Sequence, residues 1–288
     1  MVVVSAPSRA FAGLAELTFA PRAGLTRLVR SETRPPLLVG RALYPDEALP
    51  DLAYLILANP TAGIFAGDRM RIRVRVRSEG RAHLTTQGAT RLHTMPHGGA
   101  SQSIRLEVAD GAALEWLPEP TIPFRGARFT QGTTAVVAPG GTLIYGDILM
   151  PGRLASGEAL AYTRLTARLS LARPDGQLLY REAFSLLPAG RSPLGRALLG
   201  SAPAVLGTFI VVTPAVAAER LRDDLREALQ DITLAGVLAG VSILPGGGGV
   251  CVKALAEEVM PVNAALQCAW AVARERIWGV GVLPQRKY

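Results

Sequence analysis

Three groups of side chains in this sequence have the chemistry to form a site. The carboxylates Asp68, Glu119, Asp147, Glu158 and Glu182 are candidates for an acid–base pair, because such chemistry needs two carboxyl groups held at different proton affinities. Their separations along the chain do not by themselves bring them together. The three histidines, His83, His93 and His97, fall within fifteen residues, and Met95 lies between the last two. A His-x3-His pair binds zinc when both imidazoles ride one helix face. Here Pro96, Gly98 and Gly99 predict a loop, which favours surface histidines or weak, transient binding of a borderline metal over a closed structural site. The third group is the ladder Arg69, Arg71, Arg73, Arg75 and Arg77, alternating with Met70, Ile72, Val74 and Val76. As a strand it carries all five guanidinium groups on one face. Such a row can follow phosphates, discourage edge pairing or meet another protein. No aromatic side chain interleaves the arginines, as single-strand nucleic-acid binders require. Familiar catalytic signatures are absent: there is no G-x-S-x-G elbow, no Walker A and no H-E-x-x-H.

Short strands must position these groups. Strand-like runs cover Ala53–Leu57, Ala82–Thr86, Ser101–Val108, Thr133–Val137, Thr142–Ile148, Ala161–Leu171 and Gln177–Leu186. Turn clusters such as Pro139-Gly140-Gly141 and Pro174-Asp175-Gly176 separate them. Strands at this spacing predict an all-β coil, sandwich or stacked-sheet body over about residues 10–212. Two helices are predicted late in the chain. The first spans about 214–230, with Thr213 as cap and Pro214 in its first turn. Its apolar stripe is Val216, Leu221, Leu225, Leu229 and Ile232. The second spans about 257–274, with the stripe Val262, Leu266, Ala269 and Ala273. No linker-like run interrupts residues 1–288, so a single domain is expected.

Composition narrows the class. The chain has 288 residues, 49% of them hydrophobic and 19% charged, which excludes intrinsic disorder. Its formal charge is +8, and of 31 basic residues only Lys253 and Lys287 are lysines. Phosphate recognition gives an arginine surplus, and so does a GC-rich coding bias. The uncharged stretches Ala197–Ala218 and Ile232–Val252 are long enough to cross a membrane. Pro203, Gly207, Pro214, Pro245 and Gly246–Gly249 break them into strand lengths instead. Only Cys251 and Cys268 are cysteines, and no signal-peptide pattern opens the chain. The expected setting is a reduced cytoplasm.

Four segments, taken in order, resemble the UreD (UreH) family of urease accessory proteins. They are Asn59–Arg69 with its Gly67-Asp68, Leu84–Arg91 with Gly88-Ala89-Thr90-Arg91, Leu114–Phe124, and Asp147–Arg153 with Gly157-Glu158. The closing Arg276-Ile277-Trp278 is similar to the family's tail. The chain departs from the family pattern at Leu92-His93, where an aromatic pair is common, and at Arg69, where an acidic residue can stand. The resemblance implies a mainly β, β-helical-type body with two helices and no catalytic activity of its own. It also implies partners: the urease apoprotein, a helical accessory protein and a GTPase, which together insert nickel. No tightly bound cofactor is implied, only a transient nickel ion. The polar residues of its proposed ion route fall on Asp68, Thr90, Asp147 and Glu182. A turn carboxylate is the alternative for Asp68, and a buried hydrogen-bond acceptor for Asp147. The last helix and the tail around Ile277, Trp278 and Val280 are expected to face the accessory partner, with core packing as the alternative. Rival functions are a carboxylate- or metal-dependent hydrolase and a nucleic-acid binder using Arg69–Arg77.

Overall fold

The structure is a computed structural model that describes residues 10–188, 204–234 and 236–282. Alternation of apolar and polar residues drives the chain into two sheets with their apolar faces turned inward. The first sheet has seven strands, in the order β14 (Leu178–Leu186), β13 (Arg164–Ala172), β11 (Arg128–Val137), β8 (Ala100–Val108), β5 (Arg69–Val76), β1 (Ala12–Arg22) and β2 (Leu25–Arg34). The second has ten. Its main path runs β16 (Leu238–Ile243), β17 (Val250–Ala256), β15 (Val205–Val212), β12 (Thr142–Leu149), β9 (Ala113–Trp116), β6 (Arg81–Thr86), β4 (Ala53–Ala58) and β3 (Leu38–Val39). Two short strands, β7 (Thr90–Leu92) and β10 (Thr121–Pro123), pair in parallel beside it, and β10 reaches β12.

From β4 to β13 the chain winds as a coil. The strands β5, β8, β11 and β13 pair in parallel on one sheet, and β4, β6, β9 and β12 pair in parallel on the other. Each turn of the coil therefore lays one strand on each sheet. This is a β-solenoid-like body, as the resemblance implies. Antiparallel strands close both ends, with β2 and β14 on the first sheet and β15, β17 and β16 on the second. Parts of both long uncharged stretches are these closing strands. Residues 197–203 of the first stretch lie outside the described residues. Among the described residues no helix is long and apolar enough to cross a membrane.

Two apolar cores result. One fills the space between the sheets and contains Leu55, Val74, Leu106, Leu114 and Leu143. The other lies on the far side of the second sheet, under helices α1 (Ala218–Leu234) and α2 (Val259–Trp278). Leu221, Leu225 and Leu229 of the first stripe are buried as predicted, and so are Val262, Leu266, Ala269 and Ala273 of the second. Val216 is half-buried in the bend before the helix and is not part of it. The side chain of Ile232 lies outside the described residues. The first helix begins four residues later than expected. Thr213 makes a local turn by accepting the Ala215 N–H and bonds Thr142 at 2.9 Å, so Pro214 belongs to a bend rather than a first helical turn. The second helix runs a turn past Arg274 and ends at Gly279, in the left-handed conformation of a C-cap glycine.

Gly207 sets how closely α2 lies on β15. A Cβ at this position would stand 2.6 Å from Val262 Cγ1 and 2.8 Å from Leu266 Cδ1. Gly207→Val is therefore expected to destabilise the protein by about 1–3 kcal/mol through overpacking. Urea unfolding is the check, and unchanged stability would mean that the helix rides loosely on the sheet.

Candidate functional site: a carboxylate seam inside the coil

On β12, Leu143 and Tyr145 belong to the core between the sheets, whereas Ile144 and Ile148 belong to the core under the helices. The two-residue period therefore turns Asp147 inward. Its partners come from elsewhere in the chain. Gln131 on β11 donates from Nε2 to Asp147 Oδ2 at 3.2 Å, and the Tyr145 hydroxyl donates to the same oxygen at 3.3 Å. Across the sheet, Asp147 is in register with Thr208 on β15, and Thr208 with Lys253 on β17. The Lys253 ammonium donates to both oxygens of Glu182, at 2.7 and 2.6 Å, and to Thr208 Oγ1 at 2.9 Å. Glu182 projects from β14 of the opposite sheet and also accepts the Tyr180 hydroxyl at 3.3 Å. One polar seam thus joins the two sheets, and its Lys253–Glu182 end is half-buried rather than enclosed.

Burial pushes the Asp147 carboxyl up to about 6, and the nearby Glu182 charge adds to the rise. Hydrogen bonds from Tyr145 and Gln131 and the charge of Lys253 oppose it without cancelling it. At neutral pH the group is mostly ionised, but it holds its charge weakly. The Tyr145 phenol is pushed well above its ordinary value, by burial first and by Asp147 second, so it remains a proton donor.

Three cavities meet at Asp147. The largest, about 210 Å³, is bordered by Asn59, Gly63, Thr90, Glu119 and Asp147 among others. Residues from all four family-like segments line it, because the coil stacks those distant turns at one corner. Asn59 shapes that corner by accepting the Thr61 N–H and donating to the Gly63 carbonyl. Gly63, at φ 147°, lies where a Cβ would meet the Arg91 carbonyl at 2.4 Å. A second cavity of about 30 Å³ shares Gln131, Tyr145 and Asp147 with the first and reaches Glu182 and Thr208. A third, about 40 Å³, shares Pro118, Glu119 and Asp147 and reaches Gln267 and Trp270 on α2.

The predicted residues separate accordingly. Thr90 and Asp147 line the first cavity, and Asp147 and Glu182 line the second. Asp68 is buried in a turn outside that lining, where its two oxygens accept the N–H groups of Phe11 at 2.8 Å and Phe65 at 2.9 Å. Glu158 is held by Arg153 through two hydrogen bonds. Gln131, Tyr145, Thr208 and Lys253 were not singled out from the sequence. Their only signal was a polar residue at an inward position of an apolar strand.

The histidines do not converge. His97 is exposed, and His93 stacks on Phe65 with centroids 4.2 Å apart. The expected loop is present, but Met95 is buried in the core. His83 is a correction to the surface-histidine reading. It is buried on β6, where Nδ1 lies 2.7 Å from Glu115 Oε2 and its ring stacks on Tyr54. Glu115 also accepts Trp270 Nε1 at 2.9 Å and the Arg274 guanidinium at 3.3 Å. Arg274 bonds Asp46 as well. Among the described residues no group of three or more His, Cys, Asp or Glu is arranged to hold a metal ion. Both cysteines are free, Cys251 buried and Cys268 half-buried.

A two-sheet β coil, closed by antiparallel strands and backed by two helices, with a carboxylate-lined space inside, defines a class of β-solenoid-like protein whose interior is polar at a chosen place. The family model described as UreD urease accessory protein matches residues 12–287. The chain belongs to that family, and its role lies in urease maturation. It is 38% identical over 274 residues to "Urease accessory protein UreD 2" of Streptomyces griseus, an alignment covering 94% of this chain and 92% of that protein. It is 34% identical to "Urease accessory protein UreD" of Photorhabdus laumondii, covering 95% and 84% of the two chains. Against the protein of the same name from Haloarcula marismortui it is 34% identical, covering 96% and 90%.

Proposed function

We propose that the protein is a non-enzymatic maturation factor, acting in the cytoplasm, that joins the urease apoprotein to a helical accessory protein and a GTPase and gives nickel a protected polar path to the urease site. The observation that carries this reading is the meeting of three cavities at Asp147. A divalent ion moving through a protein needs oxygen donors and water, bound weakly enough to let go. Thr90, Glu119 and Asp147 supply oxygens on one side, and Glu182 and Thr208 on the other. Lys253 keeps Glu182 balanced when no ion is near and competes with a passing dication for the same carboxylate. That competition keeps the hold loose. Asp68 serves the route by fixing the turn at its side rather than by touching the ion.

A pull-down with apo-urease and the two accessory proteins tests the proposal, with nickel content and urease activity as readouts. Complex formation without any gain in nickel would reduce the protein to an assembly factor. Glu182→Ala is expected to lower nickel loading several-fold while leaving the complex intact; normal loading would remove Glu182 from the path.

A further inference from the structure

The arginine ladder has a place in the fold that its sequence did not reveal. β5 lies inside the seven-stranded sheet, hydrogen-bonded to β1 on one side and β8 on the other. Its charges therefore protect no edge. Met70, Ile72, Val74 and Val76 enter the core, so the alternate arginines stand on the outer face of the sheet. Strand register gathers others beside them. The cross-strand row through Arg71 carries Arg34 and Arg168. The row through Arg73 carries Arg105 and Arg181, with Glu16 and Glu32. The row through Arg75 carries Arg30, with Glu107. Two of the three glutamates are already engaged: Glu107 pairs with Arg75 at 2.6 Å and with Arg73 at 3.7 Å, and Glu32 with Arg34 at 3.0 Å. Arg71, Arg168 and Arg181 are exposed and form no ion pair among the described residues.

We propose that this outer sheet face is a docking surface for the acidic face of a folded protein, one of the partners of the maturation assembly. The inference rests on the function proposed above and adds the surface and its chemistry. Seven strands spaced about 4.8 Å apart and eight residues of about 3.3 Å each give roughly 29 by 26 Å, close to the ~800 Å² that one partner of a specific interface buries. Guanidinium groups pair carboxylates in forked geometry and are shed of water more easily than ammonium groups, which suits them to interfaces. The charges spread over a flat area instead of following a line, and the three rows hold no aromatic side chain on which a base could stack. A protein face fits this better than a nucleic acid does.

The test compares the full-length parent with Arg71→Glu/Arg168→Glu/Arg181→Glu and with the milder Arg→Gln triple variant. Each is titrated against apo-urease, the helical accessory protein and the GTPase separately, at 50 and 300 mM salt. Polyglutamate, a 20-nucleotide DNA strand and anionic lipid vesicles serve as additional probes. All three substituted side chains are solvent-exposed, and thermal melting verifies folding. The expected result is a loss of at least about tenfold in affinity for one protein partner at low salt, a shallower salt dependence, and an intermediate loss for the Arg→Gln variant. Unchanged affinity for all three partners overturns the surface assignment and leaves the maturation role standing. A parent that binds none of the three overturns both. Tighter binding of DNA or vesicles than of any partner protein at 300 mM salt assigns the face to that ligand and overturns the proposal.

Discussion

Asp147→Asn is expected to make the protein more stable at neutral pH and poorer at delivering nickel. Asp147 is half-buried among Tyr145, Gln131, Glu182 and Lys253, and its carboxyl is pushed up to about 6 from an ordinary 3.8. The folded chain thus binds the proton more tightly than the unfolded chain. Stability then falls as pH rises from about 4 to 6, and the whole penalty remains at pH 7. A difference of this size corresponds to at most about 3 kcal/mol. Asparagine carries no charge to desolvate and keeps groups that can meet Gln131 and Tyr145. Urea unfolding at pH 4 and pH 7 should show the parent losing stability between the two, with that slope reduced in the variant. Nickel loading of urease should fall by tenfold or more, because an amide attracts a dication far less than a carboxylate does. The parent should also load poorly below about pH 6, where the carboxyl is protonated, and the variant should lack that dependence. A variant less stable than the parent at pH 7 would show that the carboxylate holds the fold together and was not retained for transport.

That trade-off explains why the seam was only partly legible in the sequence. Alternation along Arg69–Val76 gives the strand and its two faces from eight residues, because the period is local. The strand's place inside the sheet depends on β1 and β8, which no local pattern reveals. Asp147 was found through its family-like segment. Gln131, Thr208, Glu182 and Lys253 reach it from four other strands, and pairing between strands so far apart leaves no trace in periodicity. The helical stripes were readable because burial repeats every turn. The start of α1 was not, since Thr213 serves a local turn and a cross-strand bond instead of a helix cap. Asp68 shows the other side of this difficulty. A family-like motif marked it, and the structure occupies both of its oxygens with backbone N–H groups. A residue that shapes a turn beside a cavity and one that lines it look alike in a sequence.

Arg274→Met is expected to cost about 3–5 kcal/mol and to loosen the C-terminal helix selectively. The guanidinium lies on α2, yet it bonds Asp46 and Glu115, which are 228 and 159 positions earlier in the chain. Arg274, Asp46 and Glu115 are all almost completely buried. Removing the cation leaves two carboxylates inside the protein with less compensation, although Asp46 keeps the N–H groups of Ala48 and Leu49 and Glu115 keeps His83 and Trp270. Methionine fills much of the arginine stem's volume, so the loss reports charge rather than a cavity. The double variant Arg274→Met/Glu115→Gln should recover part of the stability, because it removes one of the stranded charges. Hydrogen exchange distinguishes anchoring from general destabilisation: amides of α2 should open before those of β5 and β8. Equal loosening everywhere would mean that the helix is an integral part of the core. Selective loosening would mean that the network is the fastening by which the coil holds the helix bordering the third Asp147 cavity, and that the seating of α2, through Gln267 and Trp270, governs access from that side.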